Sequence, residues 1–293
     1  MKSIFILGLV FPFLAFAADP ETLIFSFQKQ KNPDEIQATA KTVAEYLTTK
    51  LGKKVEVLVP TSYGTTAQGL ISKKVHVAYM DSLPYLLASN EADLEIAVVE
   101  RRKERTEYDS LIVVAKNSPI KSMADLKGKS IAFTSHTSTS GFLFPYAELI
   151  DKKIIKKNED LKSFFSEVVY AGGYDKALLA VANGQTDAAA FSDYVFEGPK
   201  ADLYGNAENR AKLRILARIP GVPTHLVTTS KSLSPALRIK IRDALLTLGK
   251  EKPELLSSVY GSAELIKPEV KNHVEKTKAA LKATNLEPKN FVK

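Results

Sequence analysis

Strand-like and helix-like stretches alternate along almost the whole chain, and this alternation constrains the fold more tightly than any other feature. Thr22 to Phe27 is an apolar strand-like run. Asn32-Pro33-Asp34 then opens a helix with Ile36, Ala40, Val43, Ala44, Leu47 and Leu51 on one stripe, closed by Gly52 where a left-handed residue caps it. Strands are predicted at Val55 to Val59, Val75 to Met80, Leu94 to Val99 and Ser110 to Ala115, with helices at Thr66 to Ser72 and Pro84 to Ser89 between them. Past the turn residues Lys116-Asn117-Ser118-Pro119 the alternation resumes. Strands at Ser130 to Thr134, Val168 to Tyr170, Ala188 to Phe191 and Leu213 to Arg218 enclose helices from about Ser140 to Ile150 and from Tyr174 to Asn183. Ser234-Pro235 starts the C-terminal helices in the preferred N-cap and first-turn arrangement. Such a pattern predicts an α/β fold of two lobes, each a mostly parallel sheet flanked by helices.

The two turn-rich stretches, Lys116 to Pro119 and Ile219 to Pro223, read as crossings between the lobes and as hinges for their closure. The expected division is residues 1–17 as a signal peptide, 18–116 as the first part of lobe 1, 117–220 as lobe 2, and 221–293 as the second part of lobe 1 with the C-terminal helices. A short internal echo supports related lobes. Leu70 to Tyr85 can be laid on Val181 to Phe196, which aligns the polar pair Asp81-Ser82 with Ser192-Asp193, each at the end of a buried strand. In open α/β sheets, ligands sit at the carboxyl ends of the strands.

The N-terminus combines Lys2, an apolar run from Ile4 to Phe16 that is too short to span a bilayer, and an Ala15-Phe16-Ala17 cleavage pattern. This predicts export and cleavage near Ala17. The absence of cysteine excludes a lipid anchor on that residue, disulfides and thiolate chemistry, so a diffusible periplasmic protein is expected. Loss of Lys2 with the signal lowers the formal charge from +8 to +7. The lysines are scattered over helix faces without interleaved aromatics, which is the pattern of a solvated basic surface rather than a nucleic-acid interface. Such a charge raises the local anion concentration without naming an anion.

The densest chemical signal is Thr134 to Pro145. Six of the seven residues from Thr134 to Ser140 carry a hydroxyl, and they join a strand to a helix start containing Gly141. Free backbone N–H groups, the positive end of the helix dipole and neutral hydroxyl donors converge there, which suits an oxyanion. Thr61 to Thr66, with Tyr63, forms a second polar strand-to-helix junction that would face the first across a cleft. No nucleophile elbow, phosphate-binding glycine loop or paired-histidine zinc motif is present. His76, His136, His225 and His273 lack ligand spacing. Neither an enzyme, a metal site nor a cofactor is expected; Asp187 and Asp193 as a hydrolytic pair are the weaker alternative.

These residues resemble the PhnD-like phosphate, phosphite and phosphonate substrate-binding proteins of ABC transporters. The likeness runs through Asn32-Pro33 and its helix, Tyr63, Val75 to Met80 with Pro84-Tyr85, Tyr108, Ser138-Thr139-Ser140-Gly141 with Pro145, Gly184 to Ala189, and Pro223. The resemblance implies the type II periplasmic-binding fold and a small phosphorus oxyanion closed between the lobes for an ABC permease, by a protein expected to be monomeric. It implies that Tyr63 and Tyr108 act as aromatic lids and that Ser138, Thr139 and Ser140 hold the oxyanion. Tyr174 aligns where relatives often have histidine, Asp193 where they have an acid, and His225 near the acid that meets a ligand amine. Asp81-Ser82 replaces a common Gly-Pro. The loss of acid at His225 implies a preference for simple oxyanions over amino-phosphonates. Another small anion or organic solute, or a sensory role that passes the bound state to a membrane receptor, are the alternatives.

Overall fold

A computed structural model describes residues 18–28, 31–260, 262, 264–268 and 272–286; the signal-peptide assignment at 1–17 lies outside them. Eleven strands build two sheets among the described residues. The first has the order β11-β4-β10-β3-β1-β2, made of β1 (Thr22–Phe27), β2 (Lys54–Leu58), β3 (Val77–Met80), β4 (Leu94–Arg101), β10 (Leu226–Ser230) and β11 (Glu264–Ile266). The second has the order β7-β6-β8-β5-β9, made of β5 (Glu107–Ala115), β6 (Ser130–Phe133), β7 (Glu167–Tyr170), β8 (Ala188–Ser192) and β9 (Leu213–Pro223). The helices in chain order are α1 (Pro33–Leu51), α2 (Tyr63–Ile71), α3 (Ser82–Ser89), α4 (Phe144–Asp151), α5 (Leu161–Phe164), α6 (Tyr174–Ala182), α7 (Asp193–Phe196), α8 (Ala207–Ala211), α9 (Pro235–Glu251), α10 (Pro253–Tyr260) and α11 (Glu275–Thr284).

Helix α1 shows how local chemistry sets these elements. The Asn32 side chain accepts from the Asp34 N–H, Pro33 occupies the first turn, and Gly52 ends the helix at φ 64°, a conformation in which a side chain is disfavoured. The stripe of Ile36, Ala40, Val43, Ala44 and Leu47 is buried against α9 and α10 and the first sheet, in a core that also takes in Phe25, Val227 and Leu245. The second sheet has its own core, around Ile112, Ile131, Phe133, Leu178 and Phe191.

In three respects the structure differs from the sequence expectation. The pairs β1–β2, β1–β3, β6–β7 and β6–β8 are parallel as expected, but β10 runs antiparallel between β3 and β4, and β5 runs antiparallel between β8 and β9. Next, β5 belongs to the second sheet, so the chain changes sheets between Arg101 and Glu107, ahead of Lys116, and returns at Thr224-His225, just after Ile219 to Pro223. Turn residues at Lys116 to Pro119 and the Pro-Gly stretch in β9 mark ends and bends of strands that pair along their length, and pairing over Glu107–Ala115 outweighs them. Finally, the C-terminal α11 packs on α4 and β9 of the second layer as well as on α3, burying parts of Ala280 and Leu281 against the second core.

Candidate functional site

The carboxyl ends of β3, β6 and β8 point their following residues at one another. Beyond β6, Ser138 caps a helical turn by accepting from the Gly141 N–H at 3.0 Å. That turn, Thr139–Leu143, is a π-helical turn feeding directly into α4. Its cause lies in Pro145, which has no N–H to give to the carbonyls one turn back. The orphaned Ser140 carbonyl accepts instead from Ser110 Oγ at 2.6 Å, and the Gly141 carbonyl accepts from the Thr134 N–H at 3.0 Å. Glycine is required at 141, since a Cβ there would stand 2.9 Å from Ser138 Oγ and closer still to the Thr134 side chain. A π-turn inserted at a helix start is a frequent mark of a functional site.

The turn aims Ser140 into a cluster of neutral hydroxyls. Ser140 Oγ lies 2.8 Å from Ser192 Oγ, 3.0 Å from Tyr174 Oη and 3.4 Å from the Tyr108 hydroxyl, which donates to it. Burial raises the Tyr174 phenol to about 12 and the Tyr108 phenol well above its ordinary value, so both are neutral donors near neutral pH. Thr139 presents its N–H toward Asp81 Oδ2 at 3.3 Å and its hydroxyl oxygen to the Leu83 N–H at 3.0 Å, joining the second sheet's helix start to α3 of the first layer.

Behind Asp81 runs a buried chain of charge. Asp81 Oδ1 is 2.8 Å from His225 Nε2, and His225 Nδ1 is 3.0 Å from Glu100 Oε2. Arg102 grips both Glu100 oxygens at 2.9 Å and lies 4.0 Å over the Tyr194 ring, while the Tyr79 hydroxyl donates to Glu100 Oε1 at 2.6 Å. The His225 ring stacks between Tyr79 and Tyr108, at centroid distances of 5.6 and 5.9 Å, faces that favour a cation. Burial alone would lower the imidazole pKa, but the Glu100 carboxylate and the contact with Asp81 outweigh it and raise it to about 9. Burial likewise pushes the Glu100 carboxyl up, and Arg102 with His225 reverse this, holding it well below the usual carboxylate range. His225 is therefore an imidazolium at neutral pH, with Nδ1 hydrogen-bonded to Glu100 and Nε2 in close ionic contact with Asp81.

A pH dependence of stability follows. The folded-state pKa of His225 is raised from 6.5 to about 9, so its contribution is complete below about pH 6.5, declines above that value, and is lost as pH passes about 9. Thermal unfolding between pH 6 and 10 should show Tm falling across that window in the native protein, and more steeply than in a His225→Gln variant. Equal slopes would mean that the imidazole is not charged in the folded state.

The sequence-predicted residues divide between two places. Ser138, Thr139, Ser140, Tyr108 and Tyr174 converge. His225 lies one residue behind them, with both ring nitrogens engaged by carboxylates. Asp193 is displaced from the cluster: it opens α7 and lines a pocket of about 280 Å³ whose wall mixes Arg101, Arg102 and Arg105 with Glu107, Glu197 and Glu264, where burial raises its pKa. Tyr63 opens α2, and its side chain lies outside the described atoms. Ser192, Ser110, Asp81, Glu100 and Arg102 were not singled out as site residues by the sequence reading. The Asp81-Ser82 and Ser192-Asp193 echo carried the signal for two of them. Glu100 and Arg102 follow an apolar strand as an ordinary charged end, and carried none.

The chain matches the family model described as the ABC transporter phosphonate periplasmic substrate-binding protein over residues 25–272. It is 30% identical over 210 residues to the phosphonates-binding periplasmic protein of Escherichia coli, covering 70% of this chain and 60% of that one. It is 29% identical over 189 residues to the phosphate-import protein PhnD of Mycolicibacterium smegmatis, covering 62% of this chain and 59% of the relative. The chain thus spans less than two-thirds of the length of these relatives. The structure of PhnD1 from Prochlorococcus marinus in complex with methylphosphonate superposes with TM-score 0.77 and 19% identity, covering 91% of this chain and 99% of that one, which establishes a shared fold.

Proposed function

Because the chain belongs to the phosphonate periplasmic substrate-binding family of ABC transporters, we propose that it captures a small phosphorus oxyanion, namely phosphate, phosphite or an alkylphosphonate, between its two lobes for an inner-membrane permease. The observation that carries this reading is the convergence of the Ser140, Ser192, Tyr174 and Tyr108 hydroxyls at a helix start. Neutral donors can rotate to satisfy several oxygens of an anion, and a helix N-terminus adds a positive field. Ser138, Thr139 and Ser140 are fully buried, so capture includes opening of the lobes, with the sheet-changing segments at 102–106 and 224–225 as hinges. The reading is of a binding protein in the periplasm, acting as a monomer after signal cleavage, not of a catalyst. In the place aligned with an amine-binding acid stands His225, whose ring nitrogens face Asp81 and Glu100, so that position offers a ligand ammonium no carboxylate of its own and the reading favours simple oxyanions over amino-phosphonates.

Calorimetric titration of the purified protein with phosphate, phosphite, methylphosphonate, 2-aminoethylphosphonate and sulfate tests the assignment. Saturable binding of at least one of the three simple phosphorus oxyanions, tighter than that of sulfate or 2-aminoethylphosphonate, is the expected result. Binding of none of the three, by the wild type or by a variant without the Asp81 carboxylate, would overturn it.

A further inference from the structure

The Asp81 carboxylate occupies a position defined by donors from both layers. One oxygen faces the His225 imidazolium at 2.8 Å and the other the Thr139 N–H at 3.3 Å. The Asp81 backbone is held in the first layer, its N–H donating to Gln28 Oε1 at 3.1 Å, so only the side chain reaches across. The contact is reinforced on either side. Leu83 N–H donates to Thr139 Oγ1 at 3.0 Å, and Ser82 Oγ lies 2.7 Å from Thr277 Oγ1 of α11. Asp81, Ser82 and Thr139 are all buried. An anion placed at a helix start against an N–H and an imidazolium has the electrostatic surroundings of a bound oxyanion, and here the anion is the protein's own.

Building on the functional reading above, we propose that Asp81 is a built-in competitor for the oxyanion site: its carboxylate latches the first layer onto the Thr139 turn, and a phosphorus oxyanion must displace it to bind. Three features support this. The Asp81 contact with the Thr139 N–H, at 3.3 Å, is longer than the 2.7–2.9 Å typical of charge-assisted bonds, so an oxyanion free to choose its position forms a better one. When Asp81 leaves, His225 and Arg102 share the single Glu100 carboxylate, and an oxyanion that takes the place of Asp81 supplies the negative charge that balances them. The carboxylate also shares the Thr139 turn with the Ser140 hydroxyl cluster, one residue on, and two anions side by side in so small a buried space repel each other.

The test is calorimetry with phosphite and methylphosphonate on the wild-type protein, Asp81→Asn and Asp81→Ala, with X-ray scattering of each protein before and after addition. The competitor predicts at least tenfold tighter binding in Asp81→Ala, an intermediate gain in Asp81→Asn, and a larger radius of gyration for the variants before addition than for the wild type. If the wild type binds neither anion but a variant does, the latch is simply stronger, and both proposals hold. If the wild type binds and both variants bind equally or more weakly, the competitor is refuted while the functional reading survives. If no form binds, the functional reading falls and takes this inference with it. Should Asp81→Asn fail to fold, Asp81→Ala decides by the same readouts.

Discussion

His225→Leu is expected to lower Tm by roughly 6–20 °C. His225 is fully buried between the carboxylates of Asp81 and Glu100, and leucine would leave Asp81 without its cationic partner and Glu100 with only Arg102 and Tyr79. Removing one member of a buried ionic set costs about 3–5 kcal/mol, because the remaining charges stay desolvated without compensation. In a chain of this size, about 2–4 °C of Tm accompany each kcal/mol. His225→Gln, which keeps a donor but not the charge, should fall between wild type and leucine. Differential scanning calorimetry at neutral pH checks the order, and an unchanged Tm for His225→Leu would show that the chain of charge does not stabilise the fold. The effect reaches beyond stability, since His225 sits at one sheet-changing segment and Arg102 at the other, so the same ions hold both connections between the layers.

Ser140→Ala should weaken binding of methylphosphonate by roughly ten- to a hundredfold. Each hydrogen bond from a neutral donor to a charged group contributes about 1.5–3 kcal/mol, and Ser140 Oγ is the meeting point of Ser192, Tyr174 and Tyr108. Tyr174→Phe, which removes one donor and keeps the ring packed against Tyr194 and Tyr204, should weaken binding by about tenfold on the same reasoning. Isothermal titration of both variants, with circular dichroism to confirm folding, makes the measurement. Affinities equal to that of the wild type would place the ligand elsewhere in the cleft. Ser138→Ala is a poorer probe because Ser138 Oγ caps the Gly141 N–H, and its loss mixes helix stability with binding.

Local chemistry is enough to determine much of this protein. The stripe of α1 and its Asn32 and Gly52 ends, the order of strands through β8, and the hydroxyl-rich junction after β6 are all set by periodicity, capping and proline within a few residues of where they act, and each is legible in the chain. The Asp81-Ser82 and Ser192-Asp193 echo anticipates two strand ends that meet at the site. What the tertiary structure decided is partnership across distance. Nothing near Leu226 announces that β10 inserts antiparallel between β3 and β4, and nothing near Ser110 announces pairing with β8 and β9 rather than the first sheet, because a strand's neighbours depend on which edges the rest of the chain leaves open. His225, Glu100, Arg102 and Asp81 lie far apart in sequence or carry ordinary charges for a strand end. Only burial in a common interior, where water no longer screens them, turns them into one interacting chain.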